Sequence, residues 1–201
     1  MDNNSDISYS INSRDEIIFV NENWSDFALA NNAPDIVEDS ILKRNLWNCI
    51  SDSTTEYIYR EILRKVRAGQ SMQIKLRCDS AELRRLIELT ISLQPNGEDV
   101  LFVSHTVWKQ ARPSQIILSR DAPLTANLLI ICSWCEKVDT GMENWQEVEE
   151  AVKILGLFET ENLPQISHGI CDVCHQAMLG KLNSMKLKAN STLIKLDPFH
   201  V

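Results

Sequence analysis

The chain has 201 residues, a formal net charge of −8, 44% hydrophobic residues and 24% charged residues. This is the composition of a globular protein with one domain, or one domain and a small appendage. The acidic balance argues against nucleic acid as a partner, because non-specific binding to phosphates relies on Lys and Arg. No apolar run is long enough for a signal peptide or a membrane span, so the sequence predicts a cytoplasmic protein without a membrane partner.

The N-terminal residues predict two strands followed by short helices. Residues 7–11 alternate apolar and polar side chains, which is the period of a half-buried strand. Residues 17–20 form a short apolar run that suits a second strand. Ser25 can cap a short helix, and Pro34 follows the end of that helix.

A longer helix is predicted next. Ile58, Ile62 and Val66 repeat every four residues along one face, which is the pattern of an amphipathic helix. Thr54 or Thr55 is the predicted N-cap, because a threonine hydroxyl can accept a hydrogen bond from an unpaired backbone N–H of the first turn.

Three further strands are predicted after this helix. Residues 72–78 and 87–93 alternate apolar and polar side chains, and residues 100–108 are rich in β-branched and aromatic residues. The segment 95–97, with the sequence Pro-Asn-Gly, is a strong turn signal between the last two strands.

The order of these elements over residues 6–110 resembles that of the PAS domain. Residues 15–21 together with Trp24 look like the second PAS strand and the start of the first PAS helix. The resemblance implies an α+β fold with a five-stranded antiparallel sheet and helices on one face. It also implies a sensory role, a small ligand or signalling protein as partner, and a homodimer. Cys49 stands in a context unlike the flavin-binding cysteine motif of light-sensing members.

The rest of the chain divides into a linker, a second module and a tail. Residues 111–127 contain two prolines and few periodic signals, so they predict a linker with a short helix at residues 114–118. Residues 128–180 predict a small helical module, and residues 181–201 predict a weakly ordered tail.

Within the second module, an apolar stripe of helical period predicts one confident helix. Asn144 is the predicted N-cap, with Glu147 at the third helical position as in a capping box. The stripe consists of Trp145, Val148, Val152, Leu155 and Phe158.

Four cysteines in two Cys-x-x-Cys steps are the strongest chemical signal in the chain. Cys132 and Cys135 form the first step, and Cys171 and Cys174 form the second. Two such steps can fold together into a tetrahedral thiolate site, which is a geometry that Zn²⁺ accepts. A reducing cytoplasm favours thiolate ligands over disulfides. With four protein ligands no coordination position stays open, so the sequence predicts a structural zinc ion at these cysteines.

Other interpretations of the same cysteines stay open at this point. The second step is followed by His175, which gives the attachment pattern of a c-type haem. A dithiol redox switch needs only one Cys pair, and iron or an iron–sulfur cluster uses the same four thiolates. His168 could replace one thiolate in the ligand set. The four cysteines could also be buried without a ligand.

The cysteine-rich stretch is similar to a C-terminal module found behind sensory PAS and response-regulator domains in bacteria. The similarity covers about residues 128–180 and rests on the two Cys steps, the segment 145–149 and the segment 167–174. Members commonly have Pro after the third cysteine, where this chain has Asp172. The resemblance implies a role in bacterial signalling.

The sequence contains no phosphate-binding loop, no kinase-like motif and no His-Glu-x-x-His pair. We therefore expect no enzymatic activity. The first hypothesis is a bacterial sensory or regulatory module with a PAS-like domain and a structural zinc site. The alternative is a redox-responsive thiol and zinc switch. A nucleic-acid-binding zinc ribbon is a third hypothesis, which the acidic balance opposes.

Overall fold

The computed structural model of the chain describes residues 6–118, 124–157 and 163–185. Five strands form the first sheet: β1 (Ile7–Ile11), β2 (Ile17–Val20), β3 (Met72–Arg77), β4 (Leu83–Leu93) and β5 (Val100–Ala111). Three α-helices accompany it: α1 (Asn23–Ala30), α2 (Glu38–Ile41) and α3 (Ser53–Arg67). Short 3-10 helices cover Pro34–Ile36, Leu46–Cys49 and Ile116–Leu118.

The first sheet confirms the predicted fold class. All its neighbouring strands run antiparallel, in the order β2-β1-β5-β4-β3. The three helices lie in sequence between β2 and β3. The turn between β4 and β5 falls at the predicted segment, where the Gly97 backbone has a φ of 75°. This is the PAS-like α+β arrangement expected from residues 6–110.

Helix α3 shows how the predicted apolar face becomes the core of this domain. Ile58, Ile62 and Val66 are each 0% exposed, so the whole stripe is removed from water. The predicted cap was wrong. Asp52 is the N-cap, and its side chain accepts a hydrogen bond of 2.6 Å from the Thr55 backbone N–H. An acidic cap also complements the positive end of the helix dipole.

The predicted C-terminal module contains a second sheet as well as helices. Its strands are β6 (Leu124–Cys132), β7 (Val138–Asp139), β8 (Trp145–Gln146) and β9 (Leu163–Gly169). Their order is β8-β7-β6-β9, with β6 and β9 parallel. The module's helices are α4 (Val148–Ile154) and α5 (Asp172–Ser184). One face of this sheet packs on α4 in a small core of Ile117, Leu129, Ile131, Val138, Val148, Ala151, Val152 and Leu163.

The predicted start of the helix between the Cys steps was wrong. Trp145 lies in strand β8, and α4 begins only at Val148, after the extended residue Glu147. Asn144 takes part in the preceding turn, where its carbonyl oxygen accepts a 3.0 Å hydrogen bond from the Thr140 N–H. The pairing of β7 with β8 therefore takes the first residue of the apolar stripe, Trp145, away from the helix. Phe158, the last member of that stripe, lies outside the described residues.

The observed elements also cross the predicted domain boundaries. Strand β5 ends at Ala111, the first residue of the predicted linker, and β6 begins at Leu124 within that linker. Helix α5 runs to Ser184, past the predicted start of the tail at residue 181. Residues 119–123 of the linker and 186–201 of the tail lie outside the described residues.

The module packs against the helical side of the PAS-like domain. The buried cluster formed by the apolar residues of α3 and the first sheet also contains residues of the module. They are Cys132, Trp134, Cys171, Met178 and Leu182. The two regions therefore share one hydrophobic core.

Hydrogen bonds fix this packing in register. The Arg77 N–H at the end of β3 donates to the Trp134 carbonyl oxygen at 2.8 Å. The Lys65 ammonium on α3 donates to the Met185 carbonyl oxygen at 3.1 Å, beyond the end of α5.

None of the helices in the described ranges combines the length and the apolarity needed to span a lipid bilayer.

Candidate metal centre and neighbouring cavities

The structure brings the four predicted cysteines together. Cys132 ends β6, Cys135 lies in the turn after it, Cys171 is the N-cap of α5, and Cys174 lies in the first turn of α5. Their four sulfur atoms all lie within 4.8 Å of one another. Among the described residues, His168 is not part of this cluster.

The local backbone explains why each step presents both thiols to one point. In the first step, the Glu136 N–H donates to the Cys132 carbonyl oxygen at 2.9 Å, which closes a tight turn. In the second, the Cys171 sulfur accepts a 3.5 Å hydrogen bond from the Cys174 N–H, as an N-cap side chain does. The parallel pairing of β6 with β9 carries the two steps side by side, since Cys132 lies opposite Gly169.

The spacing of the thiols fits a tetrahedrally bound ion. Zn–S bonds of roughly 2.3 Å at tetrahedral angles place neighbouring sulfur atoms about 3.8 Å apart. The sulfur atoms of Cys135 and Cys171 are separated by 3.8 Å. All four cysteines are free thiols. A soft, four-sulfur donor set of this size suits Zn²⁺ or iron and disfavours Mg²⁺ and Ca²⁺, which prefer oxygen ligands.

Backbone N–H groups surround the sulfur atoms and favour their ionised form. The Cys171 N–H donates to the Cys132 sulfur at 3.4 Å, and the cluster lies at the N-terminal, positive end of α5. Hydrogen bonds from the thiols of Cys135 and Cys174 lower the pKa of Cys132. Donation to Cys132 raises the pKa of Cys135 to about 12 and also raises the pKa of Cys174. The thiols thus share protons, which a bound cation would displace.

Trp134 is a site residue that sequence reasoning missed. It lies between the two cysteines of the first step, yet only 5% of its surface is exposed. Its ring packs against that of Tyr59 on α3, with ring centroids 5.7 Å apart. Its indole N–H has no hydrogen-bond partner among the described residues. A large apolar residue inside a Cys-x-x-Cys step was the available signal, since such a turn is otherwise exposed.

A buried ionic cluster next to the candidate metal centre was also missed. The side chains of Asp79 and Arg112 are 0% and 3% exposed, and they form an ion pair at 3.2 Å. Arg112 also reaches Glu149 on α4 at 3.4 Å, and Arg84 pairs with Glu149 at 2.5 Å. These charges tie the β3–β4 connection and β4 to α4, and no local sequence pattern marks them as partners.

Glu136, which follows the first Cys step, combines two unfavourable features. Its φ is 59°, a left-handed conformation that costs energy for a residue with a side chain. Burial, together with the nearby Asp79 carboxylate, raises the pKa of Glu136 to about 8. The tight turn that closes the cysteine step, in which the Glu136 N–H donates to the Cys132 carbonyl oxygen, places Glu136 in this conformation.

Three of the cavities that the described residues form bear on function. The sheet cavity, of about 210 Å³, lies between the first sheet and α1, and Arg85 is its one charged lining residue among the described residues. The interface cavity, of about 330 Å³, lies between the start of α3 and the cysteine module. The thiol cavity, of about 360 Å³, opens onto Cys135, Cys171 and Cys174.

The sheet cavity has the character of a small-molecule pocket. Its walls are mostly apolar, including Trp24, Phe27 and Ile87. The Arg85 guanidinium lies over the Phe27 ring, 5.1 Å from its centroid. It donates to the side-chain oxygen of Asn31 at 2.6 Å, which holds it in place. An apolar enclosure with one oriented polar group is the usual make-up of a ligand site.

Comparisons with known proteins add a fold-level likeness. No protein-family model and no curated protein sequence matches the chain. Among solved structures, a sensory box sensor histidine kinase from Vibrio cholerae is similar, with 13% sequence identity and a TM-score of 0.36. The alignment covers 51% of this chain and 81% of the kinase chain. At so low a TM-score, the PAS-like fold rests on the strand order and helix placement described above.

Proposed function

We propose that this protein is a bacterial sensory or regulatory signalling module without catalytic activity. In this proposal the PAS-like domain binds a small ligand or a partner protein, and one structural Zn²⁺ fixes the C-terminal module against it. The observation that carries the proposal is the convergence of four thiols within 4.8 Å of one another, at the place where the module enters the core of the PAS-like domain.

Cys132, Cys135, Cys171 and Cys174 would hold the ion. Zinc supplies charge neutralisation for four thiolates and a cross-link between two distant chain segments. Four protein ligands leave no open position for a substrate, so the ion serves structure and not hydrolysis.

The contacts around the first Cys step suggest how a signal would travel. Trp134 contacts Tyr59 of α3 through its ring and receives the Arg77 N–H of β3 through its carbonyl oxygen. A ligand in the sheet cavity contacts β1, β4 and β5, so a shift of the sheet would reach the module through these two contacts. A metal-fixed turn is rigid enough to transmit such a shift.

Metal analysis of matched variants tests the zinc site. Untagged protein purified without added metal should contain about one zinc per chain by elemental mass spectrometry and should be colourless. Cys171→Ser should lose the zinc, because it removes one ligand. Cys49→Ser is the matched control, since Cys49 is exposed and lies outside the cluster. Full zinc content in Cys171→Ser, or iron with a visible chromophore, would overturn the zinc assignment.

The ligand role of the sheet cavity has a separate test. A probe such as indole, a small apolar ring with one N–H donor, should shift the amide signals of residues around Trp24 and Phe27 in an NMR titration. Ala28→Trp should abolish these shifts, because Ala28 lines the cavity and is buried. Shifts that persist in this variant would contradict ligand binding in the sheet cavity.

Self-association is the remaining part of the proposal. Exposed apolar side chains on the first sheet include Ile18, Phe19, Val107 and Trp108, which suits a protein–protein contact. Analytical ultracentrifugation at micromolar concentration should give the mass of a homodimer, and Trp108→Lys should weaken it. A monomer at all concentrations would leave a different signalling protein as the partner.

A redox-responsive thiol and zinc switch is the alternative function, and the thiol cavity favours it. Cys135 and Cys174 are half-buried and border this cavity, so a small oxidant can reach them. Two thiolates and one hydrogen peroxide, with two protons, would give one disulfide and two waters. The thiolates lose two electrons, the peroxide gains them, and the ion loses two ligands.

Peroxide treatment discriminates the two functions. A switch should release its zinc to a chromogenic chelator within minutes at sub-millimolar peroxide, and a reductant with added zinc should restore the folded module. Thiols that stay unreacted in the folded protein would leave the structural role of the metal and contradict the switch.

A further inference from the structure

The interface cavity is built from both regions of the molecule. From the PAS-like domain it is lined by Tyr9 of β1, the segment 49–52, and Thr55 and Tyr59 of α3. Ser133 and His168 line it from the cysteine module. Ser133 lies between two of the clustered cysteines, and His168 lies on β9. The cavity therefore exists only because the module packs against the domain.

One buried polar group in its wall lacks a partner. Thr55 is 5% exposed, and its hydroxyl makes no hydrogen bond with any of the described residues. Leaving a buried hydroxyl unpaired is costly, since water no longer serves it and no protein group replaces the water. Such a group in the wall of a cavity indicates a missing hydrogen-bonding partner.

The two tyrosines extend this polar wall. Burial raises the pKa of Tyr59 to about 12 and also raises the pKa of Tyr9. Both hydroxyls therefore stay protonated and can donate as well as accept. Leu46 and Ile50 supply apolar surface between the polar groups. The wall is suited to a molecule with an apolar body and hydrogen-bonding groups.

The charges of the wall select the ligand class. No Lys or Arg lines the cavity in the described residues, so an anion would lack a counter-charge. Asp52 is its only carboxylate there, and one of its oxygens already accepts the 2.6 Å bond from the Thr55 N–H at the start of α3. A cation would compete with this cap. An uncharged molecule avoids both conflicts.

We propose that the interface cavity is a second ligand site, for a small uncharged molecule with a ring and hydrogen-bonding groups such as an amide or a hydroxyl. The site adjoins the sheet cavity at Tyr9, which lines both, and its other lining residues are different. It does not depend on which metal the cysteines hold. A cavity of about 330 Å³ lies at the small end of ligand pockets, which limits the ligand to one or two rings.

A ligand at this site would couple the two regions. It would contact Ser133 of the first Cys step and Thr55 of α3 at the same time, so it would bind the docked arrangement and not the separated one. By linkage, the ligand would stabilise the docked module, and a metal-fixed module would in turn bind the ligand more tightly.

Three probes of similar size test the ligand class on the full zinc-loaded chain. Benzamide, benzoate and benzylammonium share a ring and differ in charge. In an NMR titration benzamide should shift the amide signals of Thr55 and Ser133, with a dissociation constant on the order of 1 mM. The two charged probes should bind about tenfold more weakly.

Several outcomes would overturn the proposal. Benzoate or benzylammonium binding at least as tightly as benzamide would contradict the uncharged class. Benzamide shifts confined to the neighbourhood of Trp24 and Phe27 would assign the binding to the sheet cavity. The absence of any shift at about 10 mM benzamide would contradict a ligand site in the interface cavity.

Thr55→Val removes the unpaired hydroxyl at nearly constant volume. It should weaken benzamide binding about fivefold to tenfold, because one hydrogen bond is lost. It should also raise the Tm of the free protein by about 2–4 °C, because a buried unpaired hydroxyl is removed. A merely structural hydroxyl would not produce this opposite pair of effects.

Thr54→Val is the matched control on the same helix, since Thr54 does not line the cavity. It should leave the benzamide affinity unchanged. If Thr55→Val fails to fold, Tyr59→Phe removes the hydroxyl of another lining residue and should weaken benzamide binding to a similar extent. Unchanged affinity in both Thr55→Val and Tyr59→Phe would overturn the proposal.

Discussion

The two regions of this molecule are held together in different ways. The PAS-like domain has a continuous apolar core between its sheet and α3, in which Ile11, Ile58, Ile62, Ile91 and Phe102 are each 0% exposed. Burial of each such side chain contributes about 1.5–3 kcal/mol to the free energy of unfolding. The cysteine module has a smaller core of its own and two strands of only two residues each.

The difference assigns separate roles to packing and to the cysteines. Apolar burial alone is expected to hold the PAS-like domain. The module has a smaller core of its own, so we expect it to depend on a cross-link between its Cys steps and on the core that it shares with α3. Stability should therefore be lost in one order: the module can open without the domain, but the domain cannot open without the module.

Removal of the metal should produce the largest difference in stability between the two regions. Chelation at pH 7 should cost the module several kcal/mol, since binding energy at such a site is folding energy. Hydrogen exchange should then show loss of protection in β6, β9 and α5, while β4 and β5 keep theirs. Zinc added back should restore the protection. Uniform loss in all strands would contradict the proposed order.

Phe102→Ala should destabilise both regions together, whereas loss of the metal should open only the module. Phe102 is completely buried in β5 and stacks on Tyr9 with ring centroids 4.4 Å apart. Truncation should lower the free energy of unfolding by about 3–5 kcal/mol. Because the module shares this core, both regions should lose protection together in hydrogen exchange. A module that kept its protection would mean that it folds on its own.

Asp79→Asn tests the ionic cluster that joins the regions. It leaves Arg112, which is 3% exposed in its side chain, with Glu149 as its remaining charged partner among the described residues. Breaking a buried ion pair by removal of one partner should cost about 3 kcal/mol in urea unfolding. Glu150→Gln is the control, because the Glu150 side chain is 53% exposed and pairs only on the surface. A cost below about 0.5 kcal/mol, the range of ordinary surface substitutions, would contradict a buried role.

Glu136→Gly should have the smallest effect, and it should stabilise the protein. Glycine adopts the φ of 59° without the cost that a side chain brings, and the substitution removes a half-buried carboxylate. We expect a gain of about 1 kcal/mol in the free energy of unfolding. Glu143→Gly is the matched control, because Glu143 also has a φ of 59° but is exposed. A loss of stability in Glu136→Gly would mean that the carboxylate has a favourable contact.

Much of the PAS-like domain could be predicted because its signals are local. The stripe of Ile58, Ile62 and Val66 marks α3, and alternation marks the strands on either side of it. The cap of α3 could not be assigned so well. Asp52, Thr54 and Thr55 are all acceptable N-caps by residue type, and only the backbone conformation selects Asp52.

Less of the module could be predicted. Strands β7 and β8 have two residues each, too few for a period to be read. By its sequence position, Trp145 fits a helix and a strand equally well. Its pairing with Asp139 decides in favour of the strand. The parallel pairing of β6 with β9 joins residues far apart in sequence, and no local pattern records such a pairing.

The sequence by itself determined the order of elements in the PAS-like domain, the apolar face of α3 and the identity of the four clustered cysteines. These follow from periodicity and from spacing within a few residues. Only the tertiary structure decided that Trp134 enters the core, that Asp79 and Arg112 pair in a buried cluster, and that a cavity forms between the two regions. The physical reason is that these features depend on contacts between residues remote in sequence, whose energies come from burial shared by both regions.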